Sequence, residues 1–427
     1  MRFILIPSRL KALLFRGVNV KREIRNIILF FKYFIISLFK RNNKIVDKSV
    51  YFIGNNYNAF YTLALGLQDR GWKACSMNPY EPNDFIQNYH VYANLADDIE
   101  ALKVFFDVLF NYRILHVYNR TIQSLYTGTS LVLRFLLRVE ILRLNGIFIY
   151  FSPSGCLDGS TTKEINEITR GLCDKCIWQN NMQVCNDVYN KNKIKWIVKN
   201  CKLFTNEVDW DKALAKSKIG CNIPIVSPID SRIYDPELIV PEEFRISKKP
   251  HELVIFTAFG NESLRSNDTR DIKGKKFMIA AINQLIAEGY PICHFHASNI
   301  PAKNMKYYQV QSDIIIDQLN YGSIGSSTRE GMMLAKPVIC HIASKIRNFN
   351  IAMKDCPAID ASEETIYEVL KNLVLLPNEE RLLIGKKSRE WMLKWCNYDV
   401  SAERYEKVYE YIKKGKSLDE LNAGVCI

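Results

Sequence analysis

Two glycines, Gly322 and Gly325, lie in a loop of small hydroxyl-bearing residues, and the carboxylate of Glu330 follows shortly afterwards. A loop of this kind that leads into a helix offers unpaired backbone N–H groups at the positive end of the helix dipole, a combination that binds phosphate. A carboxylate in the first turn of that helix can reach the sugar hydroxyls of a bound nucleotide. The same residues also fit an ordinary strand-to-helix connection with a surface glutamate, and residue type alone leaves both interpretations open.

The elements on either side of this loop would hold it in place. Residues 313–318 are apolar and β-branched, which predicts a buried strand of a parallel sheet. Residues 328–335 predict a short helix with Thr328 as its N-cap, and Lys336 and Pro337 end that helix before the next strand. The pattern therefore predicts a loop that runs from a buried strand into a helix N-terminus.

A group of cations earlier in the chain could serve the same anion. Arg270 and Lys273 precede an amphipathic helix predicted over residues 276–288. Two cations beside a helix N-terminus can neutralise the charge of a bound diphosphate. Arg265 competes with Arg270 for this role. The alternative is a solvated run of charge, because further lysines follow directly.

One histidine is a further candidate. His116 lies near the end of a strand predicted over residues 113–118. At that position it would either face a cleft as a catalytic residue or pack in the core, as single histidines on apolar strands usually do.

Four of the 12 cysteines lie within a short stretch of the first half of the chain. Cys173 and Cys176 have the spacing that lets two thiolates meet one tetrahedral zinc ion, and Cys156 and Cys185 could complete the four ligands. Buried reduced thiols and redox chemistry are the alternatives. The cysteines lack the compact spacing of a secreted disulfide scaffold, which favours a reduced, cytoplasmic protein.

The positive charge of the chain is concentrated at its start. The net charge is +13, and residues 1–48 hold twelve Lys or Arg against two acids, which is +10 of that total. The apolar run at 27–39 is shorter than the roughly 20 residues that span a bilayer. This placement favours an interfacial helix on an anionic membrane surface over nucleic-acid binding. A signal peptide and a simple packing extension are the alternatives.

The length of 427 residues suits two domains. Alternating strand and helix patterns predict an α/β fold, with the extension at 1–48, a first domain at 49–227 and a charged, proline-punctuated linker at 228–250. A second domain follows at 251–400, and a final amphipathic helix falls within 401–427.

The segment that contains the loop resembles the donor-binding signature of retaining GT-B glycosyltransferases of the family 4 or group 1 type, E-G-F-G-L-x-x-x-E-A-M-A-x-G-x-P-V. Gly325 falls on its second glycine and Ser326 on the residue whose amide meets the donor diphosphate. Glu330 falls on the second glutamate, which holds the donor ribose. The first glutamate is replaced by Gly322, and Asp317 on the preceding strand could supply part of the missing acidity.

Other segments extend this resemblance. Lys273 matches the lysine of the family's phosphate-binding K-G pair, and Arg270 stands where a second cation often lies. Ser327 continues the diphosphate-binding loop. Tyr234 belongs to a segment similar to the D-x-x-x-F/Y-x-P sequence that joins the two domains. In these enzymes the final helix crosses back to the first domain.

The resemblance implies two Rossmann-like, doubly wound domains that face each other across a cleft. It implies a nucleotide-sugar donor on the second domain and a glycan or lipid-linked acceptor on the first. It further implies transfer of a hexosyl-type sugar with retention, without a catalytic metal, in polysaccharide or cell-envelope synthesis at the inner face of the membrane. The alternatives are a sugar-nucleotide epimerase and a catalytically silent GT-B protein that binds a glycan or a partner enzyme.

Overall fold

Two parallel β-sheets form the frame of the described chain. A computed structural model describes residues 19–39, 46–54, 58–81, 88–118, 123–152, 161–169, 171–179, 181, 185–205, 220–221, 227–259, 271 and 273–414.

The first sheet has seven parallel strands in the order β3-β2-β1-β4-β5-β6-β7. These strands are β1 Ser49–Ile53, β2 Lys73–Asn78, β3 Val91–Tyr92, β4 Ile114–Tyr118, β5 Phe148–Ser152, β6 Leu203–Thr205 and β7 Gly220–Cys221. The order reverses between β1 and β4, which is the switch point where doubly wound sheets bind ligands at the carboxyl ends of their strands.

The second sheet has four parallel strands in the order β11-β10-β8-β9. They are β8 Leu253–Ala258, β9 Ile292–Ala297, β10 Ile314–Ile316 and β11 Val338–Ile339. Its switch point lies between β8 and β10, because Ile314 of β10 pairs with Ile255 of β8 while β9 lies on the other side of β8.

Helices cover both faces of each sheet. In chain order they are α1 Val20–Phe39, α2 Ala59–Asp69, α3 Asp98–Asn111, α4 Leu131–Leu136, α5 Val139–Leu144, α6 Thr162–Ile168, α7 Asp187–Asn200, α8 Lys275–Ala287, α9 Ala302–Gln309, α10 Ser326–Met333, α11 Ser344–Phe349, α12 Ile351–Lys354, α13 Ile366–Leu375, α14 Asn378–Trp395 and α15 Tyr398–Lys414. Along β1, Tyr51 packs into one hydrophobic cluster and Phe52 into the cluster on the opposite face. Both faces of the strand are buried, which is why it reads as a continuous apolar run.

The first and last described helices both pack on the first sheet's half of the molecule. Phe30 of α1 belongs to the same buried cluster as α3, and Tyr409 of α15 belongs to the cluster that contains α2. No helix in the described ranges has the length and apolar character of a transmembrane span.

The apolar run over residues 130–144 forms two helices, α4 and α5, rather than one. At the break between them the N–H of Leu125 donates to the carbonyl of Leu137, and the N–H of Val139 donates to the carbonyl of Gln123.

Thr328 is not an N-cap. Helix α10 begins at Ser326 with Gly325 as its N-cap, and Thr328 lies inside the first turn. The Thr328 side chain is instead used in a tertiary contact: its hydroxyl donates a hydrogen bond to the carboxylate of Asp317, directly after β10.

Candidate donor-binding site

A turn before α8 fixes the backbone of Lys273. One carboxylate oxygen of Asp271 accepts hydrogen bonds from the backbone N–H groups of Lys273 (3.3 Å) and Gly274 (3.0 Å). Its other oxygen accepts the N–H of Lys276 at 3.0 Å. Gly274 has φ +79°, a left-handed conformation that favours glycine. Asp271 therefore satisfies N–H groups at the start of α8 and orients Lys273 toward the carboxyl end of β10.

A buried ion pair joins Lys273 to the end of that strand. The ammonium Nζ lies 2.9 Å from Oδ1 of Asp317, a residue that is 2% exposed. Oδ2 of Asp317 accepts one hydrogen bond from the Thr328 hydroxyl (2.7 Å) and another from the Thr328 N–H (3.2 Å). Burial alone would raise the pKa of Asp317, but the charge of Lys273 and the hydrogen bonds from Lys273 and Thr328 hold it below its usual value. Asp317 is therefore a charged carboxylate, and its contacts tie Lys273 to the first turn of α10.

The backbone of Gly325, the N-cap of α10, lies close to the carboxylate of this ion pair. A Cβ atom on Gly325 would lie 2.6 Å from Oδ2 of Asp317, so only glycine permits this approach. Ser326 and Ser327 follow in the first turn and are partly exposed. First-turn N–H groups have no acceptor within their own helix. The arrangement thus places helix amides and one lysine around the same point, as the binding of a diphosphate requires.

Glu330 lies on the same helix, next to the segment that joins the two halves of the chain. Its Oε2 accepts a hydrogen bond from Nε2 of Gln309 at 2.9 Å, and its side chain also bonds with Tyr234. Burial raises the pKa of Glu330 to about 7 although these hydrogen bonds oppose the shift, and the charge of Asp317 adds to the rise. A carboxylate poised near neutrality can accept hydrogen bonds from sugar hydroxyls once it is ionised.

The backbone conformation is unusual at position 322, where the glycosyltransferase signature has its first glutamate. Gly322 has φ +80°, and a Cβ there would lie 3.2 Å from Cβ of Ala343. A glutamate would be strained at this φ. Asp317, which the sequence offered as a partial substitute, has both of its carboxylate oxygens engaged by Lys273 and Thr328.

The first half of the molecule reaches the same loops. Nζ of Lys175 lies 2.7 Å from Oε2 of Glu363 and 3.1 Å from the amide oxygen of Asn320. The Asn320 amide in turn donates to the backbone oxygen of Asp271 at 3.2 Å. The turn that carries Lys273 is thereby connected to a residue from the other half.

Two predicted cations cannot be placed. Arg270 and its competitor Arg265 lie outside the described residues, so their roles remain predictions.

The structure places His116, for which the sequence left a catalytic and a packing role open, inside the core of the first half of the molecule. The side chain is fully buried in β4, with Nδ1 2.7 Å from the Tyr409 hydroxyl and Nε2 2.7 Å from the Ser152 hydroxyl. Burial lowers the pKa of His116 well below its usual value, so the ring is neutral. Both ring nitrogens are engaged inside the core, which leaves neither to meet a substrate. His116 is the packing residue that its sequence context allowed as the alternative.

The predicted zinc ligands are only partly described. Cys173, Cys176 and Cys185 do not form a group that could hold a metal ion within the part of the chain that the structure describes. Cys156 lies outside that part. Burial raises the pKa of Cys185, which favours the thiol over the thiolate that zinc requires. The described residues do not assemble the site.

Three contacts of the site were not anticipated from the sequence. They are the Asp271 turn, the Lys273–Asp317 pair and the Glu330–Tyr234 contact. Only the first has a local signal, because an aspartate just before a predicted helix commonly accepts its first N–H groups.

Comparison with solved structures identifies the architecture. A glycosyltransferase from Rickettsia africae superposes with a TM-score of 0.52 at 13% identity, covering 88% of this chain and 100% of that chain. Sucrose-phosphate synthase from Thermosynechococcus elongatus gives 0.52 at 10% identity over 86% of this chain and 100% of that chain. HepE from Anabaena, in complex with UDP and glucose, gives 0.52 at 8% identity over 85% and 99%.

These similarities show the fold. The chain has the two-sheet α/β architecture of GT-B glycosyltransferases, which confirms the predicted fold class. No protein-family model matches the chain, and no curated protein sequence matches it.

Proposed function

We propose that this protein is a retaining glycosyltransferase that moves a hexosyl-type sugar from a nucleotide-sugar donor to a glycan or lipid-linked acceptor. The observation that carries the proposal is the buried bridge from Lys273 through Asp317 to Thr328, at the switch point of the second sheet. This bridge brings the ammonium of Lys273 close to the N-terminus of α10, the helix that also carries Glu330. Among the proteins of this fold, HepE has been observed with UDP and glucose.

Each residue has a defined part in donor binding. The amides of Gly325, Ser326 and Ser327 and the ammonium of Lys273 would bind the diphosphate, with Arg270 as a second cation. An ammonium group has three donors, and Asp317 takes one of them. Glu330 would accept hydrogen bonds from the ribose. These groups neutralise the leaving diphosphate without a catalytic metal.

The proposed reaction exchanges two bonds at the anomeric carbon. The bond to the β-phosphate oxygen breaks, and a bond to the acceptor oxygen forms on the same face of the sugar. The departing phosphate oxygen takes the proton of the acceptor hydroxyl. The basic residues 1–48 fit an acceptor held at the inner, anionic face of a membrane in cell-envelope or polysaccharide synthesis.

A thermal-shift series with UDP, ADP and GDP tests donor binding. A nucleotide at about 100 times its dissociation constant should stabilise the protein by about 2.7 kcal/mol. Lys273→Met should abolish most of this shift, whereas Lys276→Met, an exposed lysine in the first turn of α8, should leave it intact. Equal shifts for both variants, or none with any nucleotide in the unmodified protein, would contradict the proposal.

One observation favours a second candidate. The left-handed backbone at Gly322 disfavours the family's first glutamate, so the site has one carboxylate where the signature has two. A catalytically silent protein that binds a nucleotide sugar would have this feature. The release of nucleoside diphosphate from nucleotide sugars, measured with candidate acceptors, distinguishes the two: binding without release supports the silent protein.

A further inference from the structure

Helix α1 presents two different faces. Its buried residues, Glu23, Asn26 and Phe30, lie on one side. A second set shares large apolar side chains, exposure to solvent and helical spacing: Val20, Ile24, Ile27, Ile28, Phe31, Ile35, Leu38 and Phe39. At 100° per residue this set covers about one third of the helix circumference. We call it the apolar stripe.

The buried face holds α1 firmly on the first half of the molecule. The Phe30 ring lies 5.1 Å from that of Phe106 in α3, and the Phe34 ring lies 5.9 Å from that of Phe110. The carboxylate of Glu23 accepts a hydrogen bond of 2.6 Å from the hydroxyl of Ser130. Burial alone would raise the pKa of Glu23, but hydrogen bonds from Ser130, neighbouring backbone N–H groups and Arg22 lower it, so the carboxylate is charged. The helix is therefore packed into the fold, and its apolar stripe is not turned inward.

Cations line one edge of the apolar stripe. Lys21, Arg25 and Lys32 are exposed. At 100° per residue they lie about 100° to 140° around the helix from Val20, between the apolar stripe and the buried face. Arg25 also pairs with Asp98 at 2.8 Å, which leaves Lys21 and Lys32 as the outward charges of this edge. Apolar side chains bordered by lysines are complementary to the acyl chains and anionic headgroups of a lipid leaflet.

We infer that the apolar stripe of α1 docks on an anionic lipid leaflet, with the helix axis in the plane of the membrane and Lys21 and Lys32 at the headgroups. This inference rests on the proposed function, in which the acceptor is lipid-linked, and it identifies the surface that brings the enzyme to that acceptor.

The topology places the start of α1 near the acceptor edge. In a parallel sheet the helix before β4 begins at the carboxyl ends of the strands, so Asp98 at the start of α3 lies at that edge. Arg25 pairs with Asp98, and Phe34 lies beside Phe110 near the far end of α3. The first half of the apolar stripe therefore lies at the edge where the first sheet would bind an acceptor.

Vesicle binding by the full chain tests the inference. Sedimentation with vesicles of equal parts phosphatidylcholine and phosphatidylglycerol should capture the protein, and pure phosphatidylcholine should capture much less. Replacing Ile28 (62% exposed) and Phe31 (50% exposed) together by serine should weaken capture about tenfold or more. The matched control replaces Leu382 and Leu383, two exposed leucines of α14, by serine and should bind as the unmodified protein does.

Charge variants provide an independent measurement. Changing Lys21 and Lys32 to glutamine should weaken binding to phosphatidylglycerol vesicles by about fivefold for each lysine, and added salt should reduce the difference. Changing Lys386 and Lys387, which are exposed on α14, should have no such effect.

Two other occupants of the apolar stripe would overturn the inference. If a second copy covered it, the Ile28 and Phe31 variant would convert a dimer to a monomer in light scattering and vesicles would not compete. If residues 1–18 covered it, the full chain would fail to bind vesicles and a chain beginning at residue 19 would bind. Nucleotide thermal shifts, which do not depend on lipid, show separately whether donor binding holds.

Discussion

Replacing Glu330 with glutamine should stabilise the protein at alkaline pH and weaken its binding of a nucleotide. Glu330 is partly buried between Gln309 and Tyr234, and burial raises its pKa to about 7. Ionising it in the folded state therefore costs free energy that the unfolded chain does not lose. Glutamine keeps a hydrogen-bond acceptor there and carries no charge.

The difference in the pKa of Glu330 between the two states sets the magnitude. The ordinary value is 4.5 and the folded value is about 7, and each unit corresponds to about 1.36 kcal/mol. Below pH 4.5 the group is protonated in both states and costs nothing. Between pH 4.5 and 7 the unfolded state loses the proton first, so stability falls as pH rises. Above pH 7 the cost is constant at about 3 kcal/mol.

Thermal melts of the unmodified protein and Glu330→Gln across pH 4.5 to 8.5 measure this difference. For a cooperative unit of 150–250 residues, about 3 kcal/mol corresponds to a rise in Tm of about 6–12 °C at alkaline pH, with none at the acid end. Glu368→Gln, on an exposed position of α13, is the control. Nucleotide affinity should fall in the same Glu330 variant, because its ribose acceptor is no longer charged. A variant less stable than the unmodified protein at pH 8 would refute the reasoning.

Three further substitutions test the surroundings of the site. Asp317→Asn should destabilise the protein by about 3–5 kcal/mol, measured by chemical denaturation, because it leaves the ammonium of Lys273 buried without its partner. Adding Lys273→Met to this variant should restore part of the lost stability. Gly322→Glu should cost about 1–3 kcal/mol and give no gain in nucleotide affinity by titration calorimetry, because φ is +80° there; tighter binding would show that the missing carboxylate matters. His116→Phe should lower stability by about 1–3 kcal/mol and leave kcat unchanged well below the melting temperature; a lost kcat in a folded variant would return His116 to the catalytic site.

The sequence predicted the order of elements around the site because local patterns determine it. The apolar, β-branched run ending near Asp317 predicted a buried strand, and β10 lies within it. The small-residue loop with Gly322 and Gly325 predicted a connection to a helix N-terminus, and α10 begins directly after Gly325. Glycine spacing, strand composition and a stop at Pro337 are short-range signals, and each acts on backbone conformation directly.

The same patterns misplaced Thr328 and left His116 undecided. Thr328 has the residue type of an N-cap, but its hydroxyl donates to Asp317 from inside the helix. His116 has the residue type of a catalytic base, and its role depends on Tyr409, a partner 293 positions away in the chain.

By itself the sequence determined two doubly wound sheets, a glycine loop at a helix start and a basic, apolar beginning. Only the tertiary structure decided that Lys273 faces Asp317 across 44 positions, that Glu330 is buried enough to titrate near neutrality, and that one face of α1 is packed while the other is exposed. The reason is physical: residue types and their periodicity act through the local backbone, whereas ion pairing, desolvation and burial depend on which distant segments the fold brings into contact.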